Sequence, residues 1–201
     1  GLVGSEMCIR DRNIHFKAPN CWINDPNGFI WYKGQYHLFY QCFPYAPQWG
    51  RMHWGHAVSK DLVNWEEKGI ALYPTKTDDR SGCFSGSAVE QDGTLYLFYT
   101  GVNYLEENPE DINQCQNDQF LAAQLMISSD DGMTFDNVKR KKTVIPPIAE
   151  EAIGSKTHTR DPKVWRGKDA WYLVLGSSVD HKGRLLIIKA MIFRIGRISA
   201  T

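Results

Sequence analysis

The sequence has no surplus of either charge. Lys plus Arg and Asp plus Glu number 23 each among 201 residues, so the formal net charge is zero. Nucleic-acid binders carry a basic excess, and that partner class is set aside. Long hydrophobic runs are missing too. Mean hydropathy is −0.42, and no stretch approaches the ~20 apolar residues of a membrane-spanning helix. The most apolar run, residues 185–195, is interrupted by Lys189 and Arg194. No membrane partner is expected. Residues 1–12 lack the apolar core of a secretory signal. Cysteine is sparse, with five in all, an odd number and no C-x-x-C pair. A chain of this length does not need disulfide staples, so reduced thiols and a cytoplasmic setting are expected.

Aromatic residues are plentiful by contrast. Seven Trp, nine Tyr and nine Phe stand beside 17 Gly and nine Pro, a mixture that suits short strands joined by tight turns. Three segments look alike: Gly34-Gln-Tyr-His-Leu-Phe-Tyr40, Gly93-Thr-Leu-Tyr-Leu-Phe-Tyr99 and Asp169-Ala-Trp-Tyr-Leu-Val-Leu175. Setting Leu38, Leu97 and Leu173 as equivalents gives a repeat of roughly 60–75 residues. A strand and polar turn around Asp61 has an echo around Asp131. Units of this size with several strands each predict an all-β fold of propeller blades. A β-sandwich with two similar hairpins is the competing reading. Three blade starts do not close a ring, so the chain is expected to be incomplete. Residues 1–12 and 190–201 lack the repeat's pattern and are expected to be non-native leader and tail.

Chemistry concentrates in Trp22-Ile-Asn-Asp-Pro-Asn-Gly28. Asn27-Gly28 is a tight-turn pair and Asp25 precedes proline, so the plain reading is a turn with Asp25 bonded to its own backbone. A second Asp-Pro, Asp161-Pro162, stands at a similar place before the third repeat. Equivalent positions on the inner strands of successive blades converge on one channel. Paired carboxylates in a sugar-sized funnel suggest glycoside cleavage, with Arg160 keeping its neighbour ionised. His53 and His56 have metal-like spacing, but no carboxylate or Cys completes a set, and no metal is expected. Cys21 and Cys83 read as packing residues, and residues 139–142, Lys-Arg-Lys-Lys, as a solvated turn.

The ordered motifs Trp22–Gly28, Phe39-Tyr40-Gln41, Trp49-Gly50, Trp54-Gly55-His56-Ala57, Phe84-Ser85-Gly86-Ser87 and Arg160-Asp161-Pro162 resemble glycoside hydrolase family 32. That group holds the invertases, fructanases and sucrose-6-phosphate hydrolases. The resemblance implies a five-bladed β-propeller followed by a β-sandwich. Residues 13–189 would be the N-terminal part of the propeller, namely blades 1, 2 and part of 3, with the sandwich absent. It implies retaining hydrolysis of β-fructofuranosides such as sucrose or its 6-phosphate, with a sugar as partner and no cofactor. Asp25 would be the nucleophile and Asp161 the transition-state stabiliser beside Arg160. Asn24, Gln41, Trp49, Phe84 and Ser85 would line the fructose pocket. The family's general acid is a Glu downstream of Arg-Asp-Pro, and no Glu follows Glu151 here. These 201 residues are therefore expected to be inactive alone. Two rivals are a propeller glycosidase of arabinan or xylan and a non-catalytic carbohydrate-binding relic. The oligomeric state is not legible.

Overall fold

Alternation along residues 35–43 sorts side chains onto two faces. Phe39 joins a core with Trp54 and Leu72, whereas Leu38 and Tyr40 pack on the other side with Cys42 and Ala57. The computed structural model describes residues 16–17 and 21–190. The expected leader and all but the first residue of the expected tail lie outside the described residues.

Three antiparallel sheets follow one another along the chain. The first is a meander of β1 (Trp22–Tyr32), β2 (Gln35–Phe43), β3 (His53–Ser59) and β4 (Glu66–Leu72). The second contains β5 (Gly82–Gln91), β6 (Thr94–Tyr104), β9 (Phe120–Ser129) and β10 (Lys142–Ile145). A small hairpin, β7 (Glu107–Asn108) with β8 (Asp111–Cys115), is inserted between β6 and β9. The third sheet is β11 (Arg160–Arg166), β12 (Trp171–Val179) and β13 (Lys182–Ala190). No α-helix occurs among the described residues.

Two apolar layers join the sheets face to face. Phe39, Trp54 and Leu72 of the first meet Leu97, Tyr99 and Leu125 of the second. Phe98, Met126 and Val144 of the second meet Val164, Leu173 and Leu175 of the third. Burying aliphatic and aromatic side chains of this size yields about 1.5–3 kcal/mol each. This is blade-on-blade packing, with β1, β5 and β11 as the neighbouring inner edges. The turn echo is also physical. Ser59 Oγ donates to Asp61, which accepts from the amides of Val63 and Asn64. Ser129, Asp131, Met133 and Thr134 repeat that pattern in the second sheet.

Two expectations are corrected. Asn27-Gly28 forms no turn: both lie inside β1, where the register slips between Asn27 and Ile30. Gly28 takes φ +50°, and a Cβ there would meet the Phe39 ring at 3.0 Å and the Ala88 Cβ at 3.2 Å. The pair supplies a bulge where the first two blades touch. Within the basic run, Lys141 is buried rather than solvated. It ion-pairs at 2.7 Å with buried Asp79, one residue of the short 3-10 turn Thr77–Asp79 that leads into β5.

The first blade also encloses two histidines. His37 on β2 and His56 on β3 are buried, their rings stack, and His37 Nδ1 lies 3.0 Å from His56 Nε2. His53, the other member of the metal-like pair, bonds the Arg51 carbonyl instead. Burial, with lesser repulsion from His37 and Lys68, pushes His56 down to about 3. Burial also lowers His37, against a backbone bond at Tyr32 that raises it. The folded chain therefore holds both rings neutral, while unfolded histidine protonates near 6.5. Stability contributed by neutral His56 is complete above that value and is lost as pH falls toward 3. We expect a loss on the order of 3 kcal/mol between pH 7 and pH 4, read as a falling urea midpoint. His37→Gln/His56→Gln should flatten the fall; an equally steep fall in that variant would contradict the assignment.

Candidate active site

The inner strands share a feature that places the side chains expected at the site. On β1, Ile23 faces Cys42 and Pro26 faces Tyr40, so the strand gains one residue on its partner. On β5 the same gain falls between Cys83 and Gly86, and on β11 between Arg160 and Lys163. Each inner strand thus carries a β-bulge at the same level. Bulges re-aim side chains that a regular strand would point into the sheet packing. The bulged residues are Asn24-Asp25, Phe84-Ser85 and Asp161-Pro162. Asp161 holds the register place of Asn24 and Phe84, whereas Asp25 holds that of Ser85. The two Asp-Pro pairs are thus one step out of phase. Asp161 itself takes φ +62°, a left-handed conformation that costs a non-glycine residue roughly 1–2 kcal/mol. Thr100 Oγ1 secures it by accepting from the Asp161 amide at 2.9 Å.

Side chains around these bulges form one network. Ser85 Oγ donates to Asp25 Oδ2 at 2.6 Å, a short charge-assisted bond between adjacent blades. Asn24 Nδ2 donates to Gln41 Oε1 at 2.9 Å, and Asn24 Oδ1 accepts from Trp22 Nε1 at 2.8 Å. Gln41 is buried and reaches the Cys83 carbonyl. Trp49, on the loop between β2 and β3, meets the Phe84 ring edge-on at 5.9 Å. Both carboxylates are solvent-facing. Partial enclosure by protein raises the Asp161 carboxyl above its ordinary value; Arg160 pulls it down and the charge of Asp25 pushes it up. The charge of Asp25 is therefore felt at Asp161.

The bulges are fixed from behind. Trp54 Nε1 donates to the Phe84 carbonyl at 3.0 Å, and Asn27 Oδ1 accepts from the Gly86 amide at 3.3 Å. Ser87 Oγ donates to the Pro162 carbonyl at 2.7 Å and accepts from the Val164 amide at 3.1 Å. A Cβ on Gly86 would fall 1.9 Å from the Phe98 carbonyl oxygen, so β5 could not sit this close to β6 with any other residue there. Thr100, Asn27 and the cross-blade role of Ser87 escaped sequence reasoning. Asn27 and Ser87 stand within conspicuous motifs, but nothing in the order of residues tells which blade they bind.

The pattern of the glycosyl hydrolases family 32 N-terminal domain matches residues 15–192. The chain belongs to that family. Among curated relatives, a sucrose-6-phosphate hydrolase of Zymomonas mobilis subsp. mobilis is 45% identical over 172 residues, covering 84% of this chain and 30% of that protein. One of Escherichia coli is 40% identical over 183 residues, covering 90% of this chain and 35% of its own length. A mutant Bombyx mori β-fructofuranosidase solved in complex with sucrose superimposes with a TM-score of 0.74 at 34% identity, covering 94% of this chain and 39% of that one. The chain spans about a third of the length of these curated relatives. Its three sheets are blades of the family's five-bladed β-propeller, of which it covers a part.

In this family-32 chain a cleft of about 430 Å³ opens beside the bulges. Trp49, Phe84 and Arg160 form its near side, and Tyr104, Gln114, Cys115, Asp118, Phe120 and His158 the rest with Val102. Of the expected site residues, Trp49, Phe84 and Arg160 line this cleft, whereas Asn24, Asp25, Gln41, Ser85 and Asp161 do not. Aromatic rings interleaved with a few polar ends suit a polyhydroxylated ligand. Glu150 and Glu151 are exposed on the loop before β11. Among the described residues, no His, Cys, Asp or Glu cluster could hold a metal.

Proposed function

We propose that this chain carries the fructosyl-handling half of a retaining β-fructofuranosidase acting on sucrose or sucrose 6-phosphate. Asp25 attacks the anomeric carbon of the fructosyl unit, a carbon–oxygen ester bond forms to its carboxylate, and the glycosidic bond breaks. Water then attacks the same carbon, releases fructose and returns the carboxylate. Ser85 orients Asp25 for attack. Asp161 and Arg160 bind fructose hydroxyls and favour the positive charge that develops on the ring. Asn24 and Gln41 border the same pocket, with Trp49 and Phe84 as its apolar walls. The observation that carries this reading is the pair of aspartates on bulged inner strands of two blades, within reach of each other's charge. The relatives' names give the sugar class.

Protonation of the leaving oxygen, which typically contributes 10²–10⁴-fold, needs a carboxylic acid that this half does not supply. An activated substrate removes that need. With 4-nitrophenyl β-D-fructofuranoside, whose leaving group departs unprotonated, we expect the 201-residue chain to release nitrophenolate. Sucrose under the same conditions should be cleaved at least about 10²-fold more slowly. No release from the activated substrate would overturn the proposal.

A further inference from the structure

Two polar side chains interrupt the apolar face that the second blade turns to the third. Phe98 on β6 and Met126 on β9 are register partners and pack against Val164 and Leu173. Thr100 and Gln124, the next partners of that row, are buried without being apolar, as is Thr159 just before β11. Gln124 Nε2 donates to the Thr159 carbonyl at 2.8 Å, and Thr100 Oγ1 donates to Gln124 Oε1 at 2.7 Å. The Asp161 amide donates to Thr100 Oγ1 at 2.9 Å. No member of this chain of bonds can be reversed. A carbonyl only accepts, so Gln124 must present its nitrogen to Thr159 and its oxygen to Thr100. The Thr100 proton is then committed to Gln124, and a lone pair is left for the Asp161 amide. The second blade thus grips the third on both sides of Arg160, by the carbonyl of Thr159 and the amide of Asp161.

We propose that Thr100 and Gln124 are positioning residues for Asp161, a buried pair that holds its backbone in the conformation that delivers the carboxylate to the fructosyl unit. This rests on the fructosidase reading, in which Asp161 is the stabiliser. Asp161 sits at φ +62° within the bulge between Arg160 and Lys163, a conformation that an L residue leaves unless its surroundings hold it. Without an acceptor for its amide, the bulge relaxes toward extended backbone and the carboxylate swings off its bearing. Thr100 has no exposed surface and Gln124 only 1%, so both act through Asp161 and neither touches the sugar.

Cleavage of 4-nitrophenyl β-D-fructofuranoside by the 201-residue chain, with hydrogen exchange at the Asp161 amide, tests this. Thr100→Val keeps the branched shape and removes the hydroxyl. Its kcat/KM should fall about tenfold, the size expected for one lost polar contact, and the Asp161 amide should lose protection. Thr100→Ser, which restores the oxygen, should keep the protection and stay within about twofold of the parent. Gln124→Met, which leaves the hydroxyl without its acceptor, should fall between the two and carries the test should Thr100→Val misfold. A second background separates positioning from general loosening. In an Asp161→Asn chain, where the carboxylate is already gone, either substitution should lower the rate by no more than about twofold further. An equal fall in both backgrounds, or folded Thr100→Val or Gln124→Met chains that match the parent, would overturn the proposal and leave the fructosidase reading in place. A parent chain that releases no nitrophenolate would overturn that reading, and the positioning role with it.

Discussion

Asp25→Asn is expected to lower the rate of 4-nitrophenyl β-D-fructofuranoside cleavage by at least about three orders of magnitude, the scale seen when a covalent nucleophile is removed. The amide is nearly isosteric with the carboxylate, and its oxygen still accepts from Ser85 Oγ, the 2.6 Å bond of the parent chain. Loss of rate then reports loss of nucleophilicity and not of shape. Fructose binding should persist, so the loss falls on the chemical step. Ser85→Ala should cost only about tenfold, because the hydroxyl orients the carboxylate without forming a bond to substrate. Mass spectrometry of the parent chain quenched during turnover should find one fructosyl unit on the peptide holding Asp25. Asp25→Asn with a rate within tenfold of the parent would remove Asp25 from the nucleophile's role.

Much of this arrangement was legible because the physics was local or periodic. Alternation around Leu38 and Leu97 marked β2 and β6, and the Asp61 and Asp131 turns betrayed the repeat because their side chains bond their own backbone. Residue identity carries such information directly. The bulges were not legible. Asn27-Gly28 reads as a turn because its preferred positive φ serves turns and bulges alike, and only packing against Phe39 and Ala88 decides between them. The one-step offset between the two Asp-Pro pairs is likewise a matter of strand pairing, invisible until Val174 and Gly176 are set opposite β11. Lys141 failed for a related reason. A basic run is solvated unless one member finds a partner, and Asp79, 62 positions away, gives no local sign of being that partner. The hairpin at 107–115 shows no apolar period, and its contacts with Arg51 through Glu107, Ile112 and Asn113 span 56 to 62 positions.

The Asp79–Lys141 pair should carry the largest effect on stability, and the two halves should not be equivalent. Both side chains are wholly buried. Asp79 accepts from the amides of Thr75 and Lys76 at 2.9 and 2.7 Å, from Tyr99 Oη at 2.7 Å and from Lys141 Nζ at 2.7 Å. Lys141 has Asp79, the Tyr73 carbonyl and the Tyr99 ring, whose centroid lies 5.6 Å from Nζ. Removing one partner of a buried pair typically costs about 3–5 kcal/mol, because the survivor keeps its charge without compensation. Lys141→Met leaves a carboxylate with three good donors and should fall near about 3 kcal/mol. Asp79→Ala leaves the ammonium with one carbonyl and the Tyr99 ring and orphans two amides and a phenol, so it should reach about 5 kcal/mol or more. The double variant Asp79→Asn/Lys141→Met should recover most of the loss, since the amide oxygen still serves part of the donor set and no charge remains. Urea midpoints of the three variants at pH 7 would order them; Lys141→Met costing more than Asp79→Ala would refute this account. Because the pair sits where the chain enters β5, four residues before Cys83 and behind the Phe84-Ser85 bulge, its loss should also loosen the grip of Ser85 on Asp25. Lys141→Met should accordingly slow nitrophenolate release even at temperatures where the variant stays folded.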